Sequence, residues 1–211
     1  MMAREHISYL QKYRHVRLKW ICDPDSSSIE KALSLIQEAN DDVPRIFTKE
    51  SDMYECEEVK EQLHLLVIAT PNHLHTPQLL RWAQRPISIL CEKPVAISEG
   101  QVAQLRQASP HFQAHIWVAM EYRYIPAIHT LLQKLPEIGP LKKIAIRENR
   151  YPFLNKIQQW NKDIQKSGDT LVEKCCHFFD LFRLISRSEM DSCTTMVHRG
   201  LNWFDYGYHK V

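Results

Sequence analysis

The chain has 211 residues, enough for one large or two small globular domains, and its 44% hydrophobic and 25% charged content is that of an ordinary soluble protein, so size decides little. The net charge of +2 comes from interspersed acids and bases without a basic run or a basic stripe interleaved with aromatics, which argues against nucleic acid as a partner. No apolar stretch reaches about 18 residues free of charge, and Met1-Met2-Ala3-Arg4-Glu5-His6 has no apolar signal core, so no membrane partner is expected and the default location is cytoplasmic.

Val16 to Cys22 is the first strand candidate, ending in Asp23-Pro24-Asp25; Ser27-Ser28-Ile29-Glu30 then reads as a capping box that opens a helix to about Ala39. A weaker strand around Ile46-Phe47 and a short helix near Asp52 to Lys60 follow. The apolar run Leu63 to Ala69, with Val67 and Ile68, predicts a buried strand, His73 to Gln84 a helix, and Ile87-Ser88-Ile89-Leu90 the next strand. Strand, helix, strand at this spacing is a parallel βαβ unit. Ser98-Glu99-Gly100-Gln101 caps another helix, and Gln113 to Met120 is a further strand. This alternation fits a doubly wound α/β sheet of the Rossmann type.

Beyond it, Glu121-Tyr122-Arg123-Tyr124-Ile125-Pro126 leads into a helix to about Leu135, Gly139-Pro140 turns the chain, and Leu141 to Glu148 reads as a strand. An α+β second domain therefore begins near 121, giving divisions at 1–120 and 121–211. Thr170 to Ile185 is the strongest helix: Leu171, Cys175, Phe178, Phe182 and Ile185 form one stripe, with Val172, Cys176 and Phe179 beside it. Down this apolar helix Glu173, His177 and Asp180 recur at i, i+4 and i+7, and buried polar groups must be paired or functional. A capping box, Thr170-x-x-Glu173, is the plainer reading of that glutamate.

Six cysteines, at 22, 56, 91, 175, 176 and 193, form no CxxC pair and lie mostly in apolar runs, which favours buried thiols in a reducing compartment over a disulfide framework or a zinc site. Adjacent Cys175 and Cys176 diverge by about 100° on a helix, and His73 and His75, at i and i+2, also diverge, so no metal is expected.

Two polar blocks stand at the ends of the central strands: Thr70-Pro71-Asn72-His73-Leu74-His75 and Cys91-Glu92-Lys93-Pro94. Strand ends are where open α/β sheets bind ligands. Together with the Glu173-x-x-x-His177 pattern, these blocks resemble the Gfo/Idh/MocA oxidoreductases, the glucose-fructose oxidoreductase and inositol dehydrogenase family, over Ala3 to about Ile185.

The resemblance implies an NAD(P)-dependent oxidoreductase that moves a hydride between a nicotinamide cofactor and a hydroxyl carbon of a sugar, cyclitol or related small molecule. A dinucleotide fold uses a glycine-rich turn after its first strand, so that backbone amides approach the pyrophosphate. This chain has no such motif; Met1-Met2-Ala3 resembles only its last three positions, with Ala3 as the small residue and Arg4 to Tyr13 as the following helix. Asp23 lies about 20 residues on, where by resemblance an acid binds the adenosine ribose and favours NAD over NADP; taken alone, Asp23 reads rather as a turn or cap acid beside Pro24.

By resemblance Thr70, Pro71 and Asn72 line the ribose and nicotinamide with His75 close by, Glu92 and Lys93 face the nicotinamide end, and Lys93-Pro94 takes a cis bond. A helix cap is the other reading of Asn72, and solvent exposure or hydrogen bonding that of His73 and His75. Arg123 and Tyr124 match the segment at the domain junction and Trp160 and Asp163 the pocket region. His177 matches the catalytic histidine, Glu173 the acid that orients it, and Lys93 completes the trio.

The family's first strand and first two turn glycines would precede Met1, its second-domain sheet would run beyond Val211, and the resemblance fades from about 190, so the chain reads as incomplete at both ends. The absent strand would lie mid-sheet, between the strands ending at Asp23 and Ala69. The alternative expectation is accordingly a non-catalytic form that pairs open sheet edges with another subunit, a homo-oligomer included.

Overall fold

The computed structural model of the chain describes residues 2–38, 43–148 and 156–194. In chain order these form α1 (Met2–Leu10), β1 (Trp20–Cys22), α2 (Ser26–Glu38), β2 (Arg45–Phe47), α3 (Glu50–Glu55), α4 (Glu57–Gln62), β3 (Leu65–Ile68), α5 (His75–Trp82), β4 (Ser88–Cys91), α6 (Glu99–Ala108), β5 (His115–Val118), α7 (Pro126–Lys134), α8 (Ile164–Ser167), α9 (Asp169–Glu173) and α10 (Cys176–Ser186). Short 3₁₀ turns occur among them at Asn72–Leu74 and Glu121–Tyr124. The alternation of strand and helix through β5 is Rossmann-like, as the sequence pattern implies.

Two compact units interleave along the chain: one holds residues 1–69, 82–90 and 112–116, the other 70–81, 91–111 and 117–211. In the first, β1 and β2 pair in parallel with Trp20 beside Arg45, Ile21 beside Ile46 and Cys22 beside Phe47. The ladder continues through Arg45 N to Lys19 O and Asp23 N to Phe47 O. Ile7 of α1 and Ala32 and Ile36 of α2 form a small core, against which Leu18, Ile21, Leu33 and Leu35 pack. Ala32 and Ile36 meet this core because i and i+4 share one helix face.

The remaining strands form a separate sheet in the order β3-β4-β5. Ser88 N bonds His64 O and His115 N bonds Ile87 O, so β4 lies between its sequence neighbours. Among the described strands no ladder joins β1 to β3, the place where the resemblance puts a further strand. β1 is half-buried throughout and Leu65 of β3 is exposed.

At the end of α5, Trp82 is buried, donates from Nε1 to Glu50 Oε1 at 2.8 Å and meets Tyr54 edge-on at 4.9 Å. The Arg85 guanidinium lies 3.9 Å over the Tyr54 ring, a cation–π contact that closes this corner.

Several local expectations need correction. Asp25, rather than Ser27, opens α2, with Oδ1 accepting from Ser28 N at 2.7 Å; a carboxylate is the stronger acceptor for an orphan amide. Ala3 sits inside α1, not in a turn ahead of it. Leu141 to Glu148 forms no strand, because an extended segment needs a ladder partner and no described strand supplies one. The long helix is broken: Lys174 and Cys175 form a turn between α9 and α10, with both of their amides directed to Thr170 O. The Ser98 cap on α6 is present, accepting from Gln101 N.

Candidate active site

Every contact of the site described here lies within the second unit. Thr70 follows β3, and Thr70 Oγ1 donates to Gln78 Oε1 at 2.7 Å. Asn72 is buried and donates from Nδ2 to Ser167 O at 3.0 Å, so its side chain is a cross-link rather than a helix cap. His75 is 1% exposed, with Nδ1 2.7 Å from Pro94 O and Nε2 2.8 Å from Thr70 O. Burial holds its pKa below the ordinary value, so the neutral ring donates through one nitrogen and the other merely approaches a carbonyl.

His75 thereby ties the turn after β3 to the segment after β4, and Thr76 repeats the tie from Oγ1 to Val95 O at 2.7 Å. Both ring nitrogens of His75 therefore face backbone carbonyls. The Lys93–Pro94 bond is cis, as the resemblance implies.

Glu92 is buried at the end of β4, and the Lys93 amine donates to the backbone carbonyl of Glu173 at 2.9 Å. This brings Lys93 to the helical turn before His177. The Glu173 carboxylate is buried too, but it pairs with Lys156 Nζ at 3.1 Å. The turn at Lys174–Cys175 interrupts the i, i+4 register between Glu173 and His177. Nor does Thr170 cap α9; Asp169 Oδ1 accepts from Val172 N.

His177, 2% exposed in its side chain, has Nε2 3.3 Å from Glu121 Oε1. Tyr122 stacks on the ring at 4.3 Å between centroids and 10° between planes. The Tyr122 hydroxyl accepts from Lys174 Nζ, which also pairs with Glu148 Oε1 at 3.1 Å. His177 Nδ1 is buried with no hydrogen-bond partner among the described residues. One turn on, Asp180 binds Arg123 through two oxygens, with Nε at 2.6 Å and Nη2 as the second donor.

Glu121, Tyr122, Lys156 and Lys174 are members of this cluster that sequence reasoning did not assign. Glu121 was within reach of a rule already applied: β3 delivers Thr70, β4 delivers Glu92 and Lys93, and β5 delivers Glu121, each just past a strand end. Asp23 and Ala3 belong to the other unit, where Asp23 Oδ1 accepts from Asp25 N at 2.9 Å, the turn-acid geometry weighed above. Trp160 lies under the Lys156 ammonium at 4.3 Å, and Asp163 caps α8 through Gln165 N.

Burial lowers the His177 pKa to about 4, helped by the positive charges of Lys93 and Lys174 and opposed by Asp180 and Glu92. Its folded pKa thus lies below the ordinary 6.5, and the unfolded chain takes the proton first as pH drops. The stability contributed by neutral His177 is fully present above about pH 6.5 and is lost as pH falls through about 4. Urea midpoints should fall across that window, and His177→Gln should make the fall shallower.

Burial also pushes the thiols up, Cys91 to about 12 and Cys22 and Cys176 to about 11, which removes them as nucleophiles at neutral pH. Among the described residues no three His, Cys, Asp or Glu side chains gather as a metal site, and no helix is long and apolar enough to cross a membrane.

The model of an oxidoreductase family with an NAD-binding Rossmann fold matches residues 1–119. Among curated proteins, uncharacterized oxidoreductase YgjR of Escherichia coli is 30% identical over 127 residues, covering 60% of this chain and 37% of that protein. Levoglucosan dehydrogenase of Pseudarthrobacter phenanthrenivorans is 32% identical over 101 residues, covering 48% of this chain and 24% of that protein. Among solved structures, the WlbA dehydrogenase of Thermus thermophilus, in complex with NAD and UDP-GlcNAcA, superposes with a TM-score of 0.67 at 20% identity, covering 88% of this chain and 59% of that one. A putative myo-inositol dehydrogenase of Sinorhizobium meliloti gives 0.67 at 17% identity, covering 89% and 53%. The chain spans less than two thirds of the length of each of these proteins.

Proposed function

The chain belongs to the Gfo/Idh/MocA oxidoreductases, and on that premise we propose that it oxidises a hydroxyl carbon of a sugar, cyclitol or related compound with a nicotinamide cofactor. The observation that carries this reading is the convergence, inside one unit, of Lys93 after β4 with a buried, neutral His177 on α10. The orphaned His177 Nδ1 fits a ligand hydroxyl, and the polar strand ends beside it fit the nicotinamide side of a dinucleotide.

Thr70, Pro71, Asn72, Glu92 and Lys93 are the residues that would hold that side; Asp23 is the one proposed for the adenosine ribose, with NAD preferred to NADP. The bound nicotinamide supplies a hydride acceptor. His177 takes the hydroxyl proton, and it is available as a base because it is neutral at working pH. Lys93 holds the hydroxyl oxygen and stabilises the negative charge that develops there.

Calorimetric titration of the full chain with NAD, NADH and NADP tests this. Binding in the micromolar range with NAD preferred is the expected result, and Asp23→Ser should erode the preference; a folded chain that binds none of the three sinks the reading.

A second reading, in which the chain acts by associating with another subunit, draws on the strand edges of β1 and β3, which share no ladder and expose Leu65. Sedimentation velocity at high micromolar concentration separates the two: a dimer supports association, and a folded monomer removes it.

A further inference from the structure

His177 needs a carboxylate partner for the chemistry just proposed, and the one four residues before it is engaged elsewhere, because Glu173 pairs with Lys156. The ring is held from two sides by a single short segment. Tyr122 stacks on its face, and Glu121, one residue earlier, places Oε1 3.3 Å from Nε2. That segment is itself anchored: Lys174 Nζ reaches the Tyr122 hydroxyl, and Asp180 clamps Arg123.

A neutral imidazole carries one N–H, and a carboxylate can only accept. With Glu121 ionised, Nε2 is the nitrogen placed to carry the proton, which leaves the lone pair on Nδ1, the buried atom with no partner among the described residues. Resting on the dehydrogenase reading, we propose that Glu121 is the positioning residue of the proton transfer. Its carboxylate holds Nε2–H, fixes Nδ1 as the nitrogen that accepts the substrate's hydroxyl proton, and stabilises the imidazolium that results.

The balance is simple. The O–H bond breaks as its proton joins Nδ1, the carbon–hydrogen pair leaves as hydride to the nicotinamide, and a carbonyl remains. The imidazolium forms beside the positive charges of Lys93 and Lys174, which the negative charges of Asp180 and Glu92 oppose. A carboxylate in direct contact is what makes that charge tolerable in a buried place. Burial raises the Glu121 carboxyl above its ordinary pKa, opposed by a backbone hydrogen bond and by the positive charges of Lys93 and Lys174, while its side chain stays 53% exposed beside the dry ring.

Long-range ¹H–¹⁵N correlation spectra of the full chain, with His177 assigned from the signal missing in His177→Gln, read the tautomer directly. The Nε2–H form is expected in wild type. Glu121→Ala should mix the two tautomers, Glu121→Asp should restore the Nε2–H form in part, and Glu173→Gln should leave it unchanged. Glu121→Gln keeps an acceptor but no charge, so the ring should stay neutral to lower pH than in wild type.

In turnover, Glu121→Gln should lower kcat about 10²-fold with KM for the hydroxyl substrate unchanged, and move the acidic limb of the kcat profile to lower pH. An Nδ1–H tautomer in wild type overturns the proposal, as does a tautomer that responds to Glu173→Gln and not to the Glu121 variants. If Glu121→Ala does not fold, the Gln and Asp variants decide. A wild-type chain that never reduces NAD overturns the dehydrogenase reading and the catalytic half of the proposal, while the spectra still decide the tautomer; turnover that is indifferent to Glu121→Gln overturns the positioning role alone.

Discussion

His177→Asn is expected to lower kcat by about 10²–10⁴-fold while leaving the affinity for NAD within about threefold of wild type, the signature of losing a proton acceptor rather than a binding contact. Asparagine keeps a polar group near the position of Nδ1 but cannot take a proton. The replacement is also smaller, in a place where His177 is buried and Tyr122 lies flat against its ring, so near-UV circular dichroism should confirm intact packing before kinetics are compared. Lys93→Met makes the complementary case. It removes the amine that reaches Glu173 O and should also depress kcat, yet it should raise the His177 pKa, since the Lys93 charge is one of the influences holding that pKa down. Unchanged turnover in His177→Asn would remove the assignment of this histidine altogether.

Gly168→Ala should cost about 2–4 kcal/mol in urea unfolding, a large loss for one methyl group. Gly168 closes α8 in the left-handed region at φ +82, with its amide bonded to Ile164 O. There an L side chain carries a penalty of about 1–2 kcal/mol. Space is short as well: an added Cβ would lie 2.9 Å from Ile97 Cβ and 2.9 Å from Val172 Cγ1. Both neighbours are branched residues whose contacting atoms sit at or next to the main chain, so relief requires backbone movement. Such movement would reach the site, because the preceding residue, Ser167, offers the carbonyl that holds Asn72. A measured change within about 0.5 kcal/mol of zero would refute the strain argument.

The sequence made the two polar strand ends readable because β3 and β4 lie in short, mostly apolar runs whose length and flanking residues decide for a strand. The α6 cap was readable for a similar reason: Ser98 and Gln101 stand at the spacing that satisfies an orphan amide. Failures arose where two local signals competed. Asp25 and Ser27 both offer a cap for α2, and the charged oxygen prevails. Leu141 to Glu148 alternates as a strand would, but pairing is non-local and the pattern does not carry it.

The helix containing His177 shows the deeper limit. Its apolar stripe is continuous through Lys174 and Cys175, so nothing in the periodicity marks a break there; the break accompanies the burial of Lys174 against Tyr122 and Glu148. Once that turn is made, Glu173 and His177 no longer share a line, and the partner of the histidine comes instead from a segment more than fifty residues earlier in the chain. Motif spacing predicts neighbours along one element. It is silent about which strand end arrives from elsewhere.

The separation of β1 and β2 from β3, β4 and β5 also bears on what a melting curve of this chain can mean. All-or-none unfolding requires that each ladder lend stability to the next, and a three-residue parallel pair supported by one small helix-covered core has little to lend or to borrow. The β1–β2 corner would open at a lower free energy than the sheet centred on β4, so amide exchange and calorimetry would sample different events. Its stability is then a spectrum of local opening energies, and no single midpoint temperature describes it.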